Sequence, residues 1–158
     1  MTALCERNGM RYLDKNWYLK SQKYPPDGET YEAVKALDEA EIKSGVPENL
    51  RRYLCFHDGK IISEETVQSG VEPIFSGSDY ALRIQCPYKQ ETVTFRDAIV
   101  KTERPPTGAE WLYEEIYRHK SGKGYEIHIL LESSECHIPI LASDLIEMKI
   151  VCRDITFA

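Results

Sequence analysis

Apolar and polar positions along this chain follow two different periods, and the change between them divides the sequence. Up to about residue 56 the spacing is helical. Leu13, Trp17 and Tyr18 form an apolar side of a short helix that Asp14 can cap. Pro25, Pro26, Asp27 and Gly28 then make a break. Thr30 is placed to cap a second helix, with Tyr31, Val34, Leu37 and Ile42 at roughly helical spacing and Gly45 closing it at C′. Pro47 opens a third through Leu50, Tyr53 and Leu54.

At His57, Asp58 and Gly59 a turn signal intervenes, and beyond it apolar residues alternate. The strands expected are 60–67, 80–86, 91–101, 111–118, 125–132, 137–141 and 147–155. Trp111, Tyr113 and Tyr117 are expected on one face of their strand, with Tyr125, Ile127, Ile129 and Leu131 on the facing partner of a hairpin. Turn-rich pieces at 76–79, 105–108 and 121–124 join these strands as in an antiparallel meander. The expected fold is α+β, with two or three N-terminal helices on one face of an antiparallel sheet of five to seven strands. It forms one domain over 10–158, helical in 10–56 and sheet in 57–158, and 1–9 are an N-terminal extension.

A length of 158 residues suffices for a core without staples. No apolar run approaches the roughly 20 residues of a membrane span, and the first residues lack the apolar stretch of a secretory signal. A cytoplasmic location follows as the expectation. Cys5, Cys55, Cys86, Cys136 and Cys152 are an odd set without a close pair, so reduced and mostly buried thiols are expected rather than disulfides or a zinc site. The net charge of −6 resides wholly in residues 61–158. With no Lys/Arg cluster along the chain, nucleic acid is not an expected ligand, whereas a protein partner with a basic surface is.

Several of these segments resemble a known family. The stretch 10–18 (MRYLDKNWY), the His57-Asp58-Gly59 turn, strands 111–117 and 125–131, and the closing 145–150 and 154–155 are similar, in that order, to the uncharacterised bacterial domain-of-unknown-function family 4085. The chain departs from it in a shorter helical part and in the nine residues before Met10. The resemblance covers most of 10–155 and implies a fold rather than an activity.

Candidate chemistry is sparse. His57 and Asp58 are adjacent, a pairing suited to acid–base or metal chemistry, although a turn that caps the preceding helix explains them as well. Glu126 and His128 share a strand face, and hairpin pairing is expected to bring Cys136 and His137 near them, but no metal spacing is matched and neither metal nor cofactor is expected. Glu114 and Glu115 point to opposite faces, one solvated and the other free to pair with Arg51 or Arg52. Phosphate-loop, dinucleotide and serine-hydrolase signatures do not occur. The leading expectation is a non-catalytic protein that binds another protein through an acidic sheet surface, in an immunity or antitoxin-like role. The alternative is a small hydrolase or metal-dependent enzyme using His57, Asp58 and His128.

Overall fold

A computed structural model describes residues 9–23 and 28–158. Three helices, α1 (Lys15–Lys23), α2 (Gly28–Lys43) and α3 (Glu48–Tyr53), precede eight strands. These are β1 (Lys60–Gln68), β2 (Ser78–Gln85), β3 (Gln90–Arg96), β4 (Ile99–Thr102), β5 (Glu110–Arg118), β6 (Tyr125–Glu132), β7 (Leu145–Cys152) and β8 (Asp154–Phe157). They form one antiparallel sheet in the order β4-β7-β6-β5-β1-β2-β3-β8. The α+β class agrees with the sequence, but the sheet has eight strands rather than five to seven.

Two expected long strands each break once. Asp97, at φ 51°, separates β3 from β4, and Arg153 separates β7 from β8. At both points the chain leaves one half of the sheet for the other, because β3 and β8 belong with β1 and β2 while β4 and β7 belong with β5 and β6. The breaks meet at one corner, where the Arg153 N–H donates to the Arg96 carbonyl. The fully buried Asp97 carboxylate accepts four backbone N–H groups there, from Ile74 (2.6 Å), Gly77 (2.7 Å), Ser76 (2.8 Å) and Phe75 (3.1 Å). Burial alone would raise its pKa, but the four donors outweigh that and hold it at about 2. The expected strand 137–141 is instead a loop between β6 and β7, in keeping with Pro139, which cannot donate to a ladder.

Between β5 and β1 only Lys60 and Glu110 pair, so the two halves diverge and enclose a common interior. Ile61, Leu82, Ile84, Val93 and Phe95 from one half meet Trp111, Ile127, Ile129 and Ile150 from the other, with Leu50, Leu54 and Phe56 closing the core from α3 and its exit. Each such side chain contributes about 1.5–3 kcal/mol on full burial. A second cluster lies on the opposite face of β5, β6 and β7, where Met10, Leu13, Tyr18 and Leu37 cover Leu112, Tyr117, Leu130 and Leu145. The half-sheet around β6 is thus covered on both faces, which accounts for the nearly continuous burial of that strand and the apolar run 129–131 in it.

Local details depart from the periodic reading. A bulge between Trp111 and Tyr113 puts Trp111 in the interior and Tyr117 on the helix-covered face, so the three aromatics do not share a face. Asp14 caps α1 as expected, its carboxylate accepting the Trp17 N–H at 2.9 Å. α2 starts at Gly28, so Thr30 lies inside it and its side chain falls outside the described residues, as does most of the 25–28 break and all of Cys5. Of the apolar residues assigned to the buried side of α2, only Leu37 is buried, while Tyr31, Val34 and Ile42 are exposed. The face that packs carries Glu41 and Ser44, which accept the N–H groups of Ile116 (2.9 Å) and Arg118 (2.7 Å). α2 therefore supplies to the edge of β5 the acceptors that a neighbouring strand would have given. Among the four described cysteines only Cys152 is buried, which corrects the expectation of mostly buried thiols.

Candidate functional site

The bulge in β5 aligns a polar row across three strands. Glu115 pairs in register with His128 of β6, and His128 with Lys149 of β7. One step along, Tyr117 faces Glu126. The fully buried Glu115 carboxylate accepts N–H groups from Arg11 (2.8 Å), Tyr12 (3.0 Å) and Leu13 (2.7 Å), and the Tyr117 hydroxyl at 2.7 Å. Glu147 accepts the N–H of Met10. Two strand carboxylates thereby bind the segment 10–13 across the sheet.

Glu126 gathers three cations or donors. His128 Nε2 donates to its Oε2 at 2.9 Å, Lys149 Nζ lies 3.4 Å from Oε1, and Arg11 lies 3.7 Å from Oε2. The His128 hydrogen bond, above all, and then the Lys149 charge overcome burial and bring the Glu126 pKa down to about 2. With Nε2 carrying the proton, Nδ1 of the fully buried His128 has no partner among the described residues. An unsatisfied buried polar atom of this kind costs on the order of 1–3 kcal/mol.

Beside this row opens a cleft of about 470 Å³. Arg11, Lys43, Arg118, His119, Lys120 and Lys149 line it, with Glu126 as its one carboxylate among the described residues. The Arg11 guanidinium stacks 4.3 Å over Tyr117 and that of Arg118 4.6 Å over Tyr125. A second cleft of about 460 Å³, bordered by His128, Glu147, Lys101 and Lys149, lies on the other side of Lys149. These residues are dispersed along a chain that has no Lys/Arg cluster in its sequence, and only folding assembles them.

The sequence-predicted residues occupy separate places. His57 Nδ1 donates to the Leu112 carbonyl at 2.6 Å, and its ring packs 5.1 Å from Tyr113. Asp58, at φ 66°, donates its N–H to the Trp111 carbonyl at 2.8 Å. The pair thus fastens the turn before β1 onto β5, and neither residue borders the clefts on which Glu126 and His128 lie. His137 does not join Glu126 and His128, since Val151 and Lys149 stand opposite them and His137 binds Asp144 at 2.7 Å in the preceding loop. Among the described residues no group of three or more His, Cys, Asp or Glu side chains is arranged to hold a metal ion.

The two glutamates at 114 and 115 do face opposite sides, yet Glu115 is buried and Glu114 borders a small cavity with Glu41, Cys55 and Arg51, whose guanidinium pairs with Asp38 at 3.2 Å. Burial, aided by the Glu41 charge, raises the Glu114 pKa. Burial likewise raises Glu41 to about 7, against the lowering effect of the Ile116 N–H.

A third feature is the outer edge of β1. Ile61 still bonds the segment before β5, its N–H donating to the Ala109 carbonyl at 2.9 Å and its carbonyl accepting the Gly108 N–H at 2.8 Å. Beyond it this strand pairs only with β2 among the described residues, and all but Ile61 of its nine residues are exposed. From 61 to 82 there is no Lys, Arg or His, while Glu64, Glu65, Glu72 and Asp79 occur. Ile62, Val67, Val71 and Ile74 are exposed in the same stretch. Native edge strands are commonly blunted by lysine, bulges or a cover. Here Lys60 and a bulge between Ile61 and Ser63 lie at the start of β1, and no other strand pairs with 62–68 on the side away from β2 among the described residues. No described helix is long and apolar enough to cross a membrane. Comparisons with protein-family models, curated proteins and solved structures return no match.

Proposed function

We propose that this protein is a non-catalytic cytoplasmic binding protein that takes an extended, basic segment of a partner protein onto the free edge of β1. The observation that carries this reading is the edge of β1 beyond Ile61, which has no strand beside it among the described residues and carries Glu64 and Glu65 with exposed Ile62 and Val67. An added strand gains main-chain hydrogen bonds from such an edge, and alternating side chains supply specificity. Glutamates along it favour lysine- or arginine-bearing segments through complementary charge. The acidic surface foreseen for the sheet is narrower in this reading, because Asp79 is already paired with Arg96 at 2.8 Å on the outer face of β2 and β3. An immunity or antitoxin-like role, in which a basic protein is held and blocked, is the specific form proposed, and kinship with family 4085 forms part of the same proposal.

The hydrolase or metal-enzyme alternative requires His57, Asp58 and His128 to converge, and their separate surroundings give it no support. Capture from a lysate of the native host tests the binding reading with two baits, the wild type and a Glu65→Lys, Val67→Lys variant. Both positions are exposed, so the variant should fold. A partner held by the wild type and lost by the variant, with amide-exchange protection of 62–68 in the complex, supports the reading. A partner held equally by both baits overturns it.

A further inference from the structure

We propose that the cleft formed by Arg11, Lys43, Arg118 and Lys149 is a binding site for a small phosphate-bearing ligand, distinct from the edge of β1. The molecule carries a net charge of −6, yet this concave site collects four Lys and Arg side chains, together with Lys120 and His119, around one carboxylate. That carboxylate is already matched. Glu126 is engaged by His128, Lys149 and Arg11, so it leaves the charges of Lys43 and Arg118 unmatched by a carboxylate of the cleft among the described residues. Lys43, exposed on the last turn of α2, has no partner among the described residues. Gathering like charges in one concavity is unfavourable unless an anion joins them.

The two guanidinium groups are held in advance. The guanidinium carbon of Arg11 sits over the Tyr117 ring, and that of Arg118 over the Tyr125 ring while Arg118 donates to the Gly45 carbonyl at 3.1 Å. Stacking of this kind restricts the side chain and leaves N–H groups at the edge of the guanidinium plane to meet oxygens. Less conformational entropy then remains to be lost on binding, and the planar fork suits the paired oxygens of a phosphate. A volume of about 470 Å³ lies within the range of small-molecule sites, and the end of α2 together with residues 118–120 borders the cleft. These features favour a compact ligand over a polymer backbone.

Inorganic pyrophosphate serves as the probe, titrated calorimetrically into the intact protein at constant ionic strength, with sodium chloride as the reference salt. Saturable one-to-one binding is expected, accompanied by a rise in Tm that the chloride reference does not give. Lys43→Gln and Arg118→Gln should each weaken binding about tenfold, the worth of a lost charge-assisted contact. Lys60→Gln, on β1 outside the cleft, should leave it unchanged. Should Arg118→Gln fold poorly, Lys43→Gln still decides, since that side chain is exposed. The proposal is overturned if heat is non-saturable, if chloride produces the same rise in Tm, or if Lys60→Gln weakens binding as much as Lys43→Gln.

Discussion

Single carboxylates set much of this structure through the donors they collect. Glu115 holds three consecutive backbone N–H groups of the N-terminal segment without exposure to solvent. Glu115→Ala should cost at least about 3 kcal/mol in urea unfolding, since buried donors left unmet cost on the order of 1–3 kcal/mol each. Glu115→Gln, which keeps one acceptor oxygen, should cost less, and amide exchange at 11–13 should quicken in both. Equal loss in the two variants would place the effect in packing. Trp111 is fully buried with its ring 5.2 Å from Phe56, so Trp111→Ala should cost about 3–5 kcal/mol. A variant of unaltered stability would refute its place in the interior. The sequence revealed Trp111 as an anchor because large aromatics at strand spacing belong in cores. It gave no sign of the Glu115 role, since an acidic residue in a strand ordinarily reads as solvated.

Among the elements, α2 shows most clearly where periodicity fails. Tyr31, Val34 and Ile42 suggested an apolar stripe, but the helix presents Glu41 and Ser44 to the backbone of β5. Hydrophobic patterning cannot register a face chosen for its acceptors. The pH dependence follows from the same contact. Glu41 has a folded pKa of about 7, above the unfolded value of about 4.5, so its stabilising share is complete below about pH 4.5 and lost as pH rises through 7. Tm should therefore decline between pH 5 and 8 by more in the wild type than in Glu41→Gln, which keeps an acceptor for Ile116 but does not ionise. Parallel profiles would show that Glu41 does not titrate there. β5 and β6 were legible nearly to the residue, since both carry long, turn-bounded apolar runs. The breaks at Asp97 and Arg153 were not, because neither position has the Gly or Pro that marks a turn, and left-handed Asp is only an occasional signal.

At the scale of the whole molecule, the candidate sites were the least legible part. Arg11, Lys43, Arg118 and Lys149 come from four separate segments, and no local spacing relates them. Met10 is nearly fully buried, and the segment 10–13 is held by Glu147 and Glu115. Removal of residues 1–9 should thus leave Tm nearly unchanged, and a fall of many degrees would show that docking starts earlier. Zinc should produce no rise in Tm, since His128, Glu126 and His137 do not converge. A metal-stabilised state at a hundredfold excess over Kd would gain about 2.7 kcal/mol and be plain in the same assay. The exchange of strands at the Asp97–Arg153 corner has a consequence for synthesis of the chain. β8 is made last among the strands, yet it lies outermost against β3, which is made early. Until residues 154–157 have left the ribosome, β3 lacks the long-range partner that flanks it in the folded sheet. A nascent chain stalled after Cys152 should accordingly remain open to protease in β3, and gain resistance when those few residues follow.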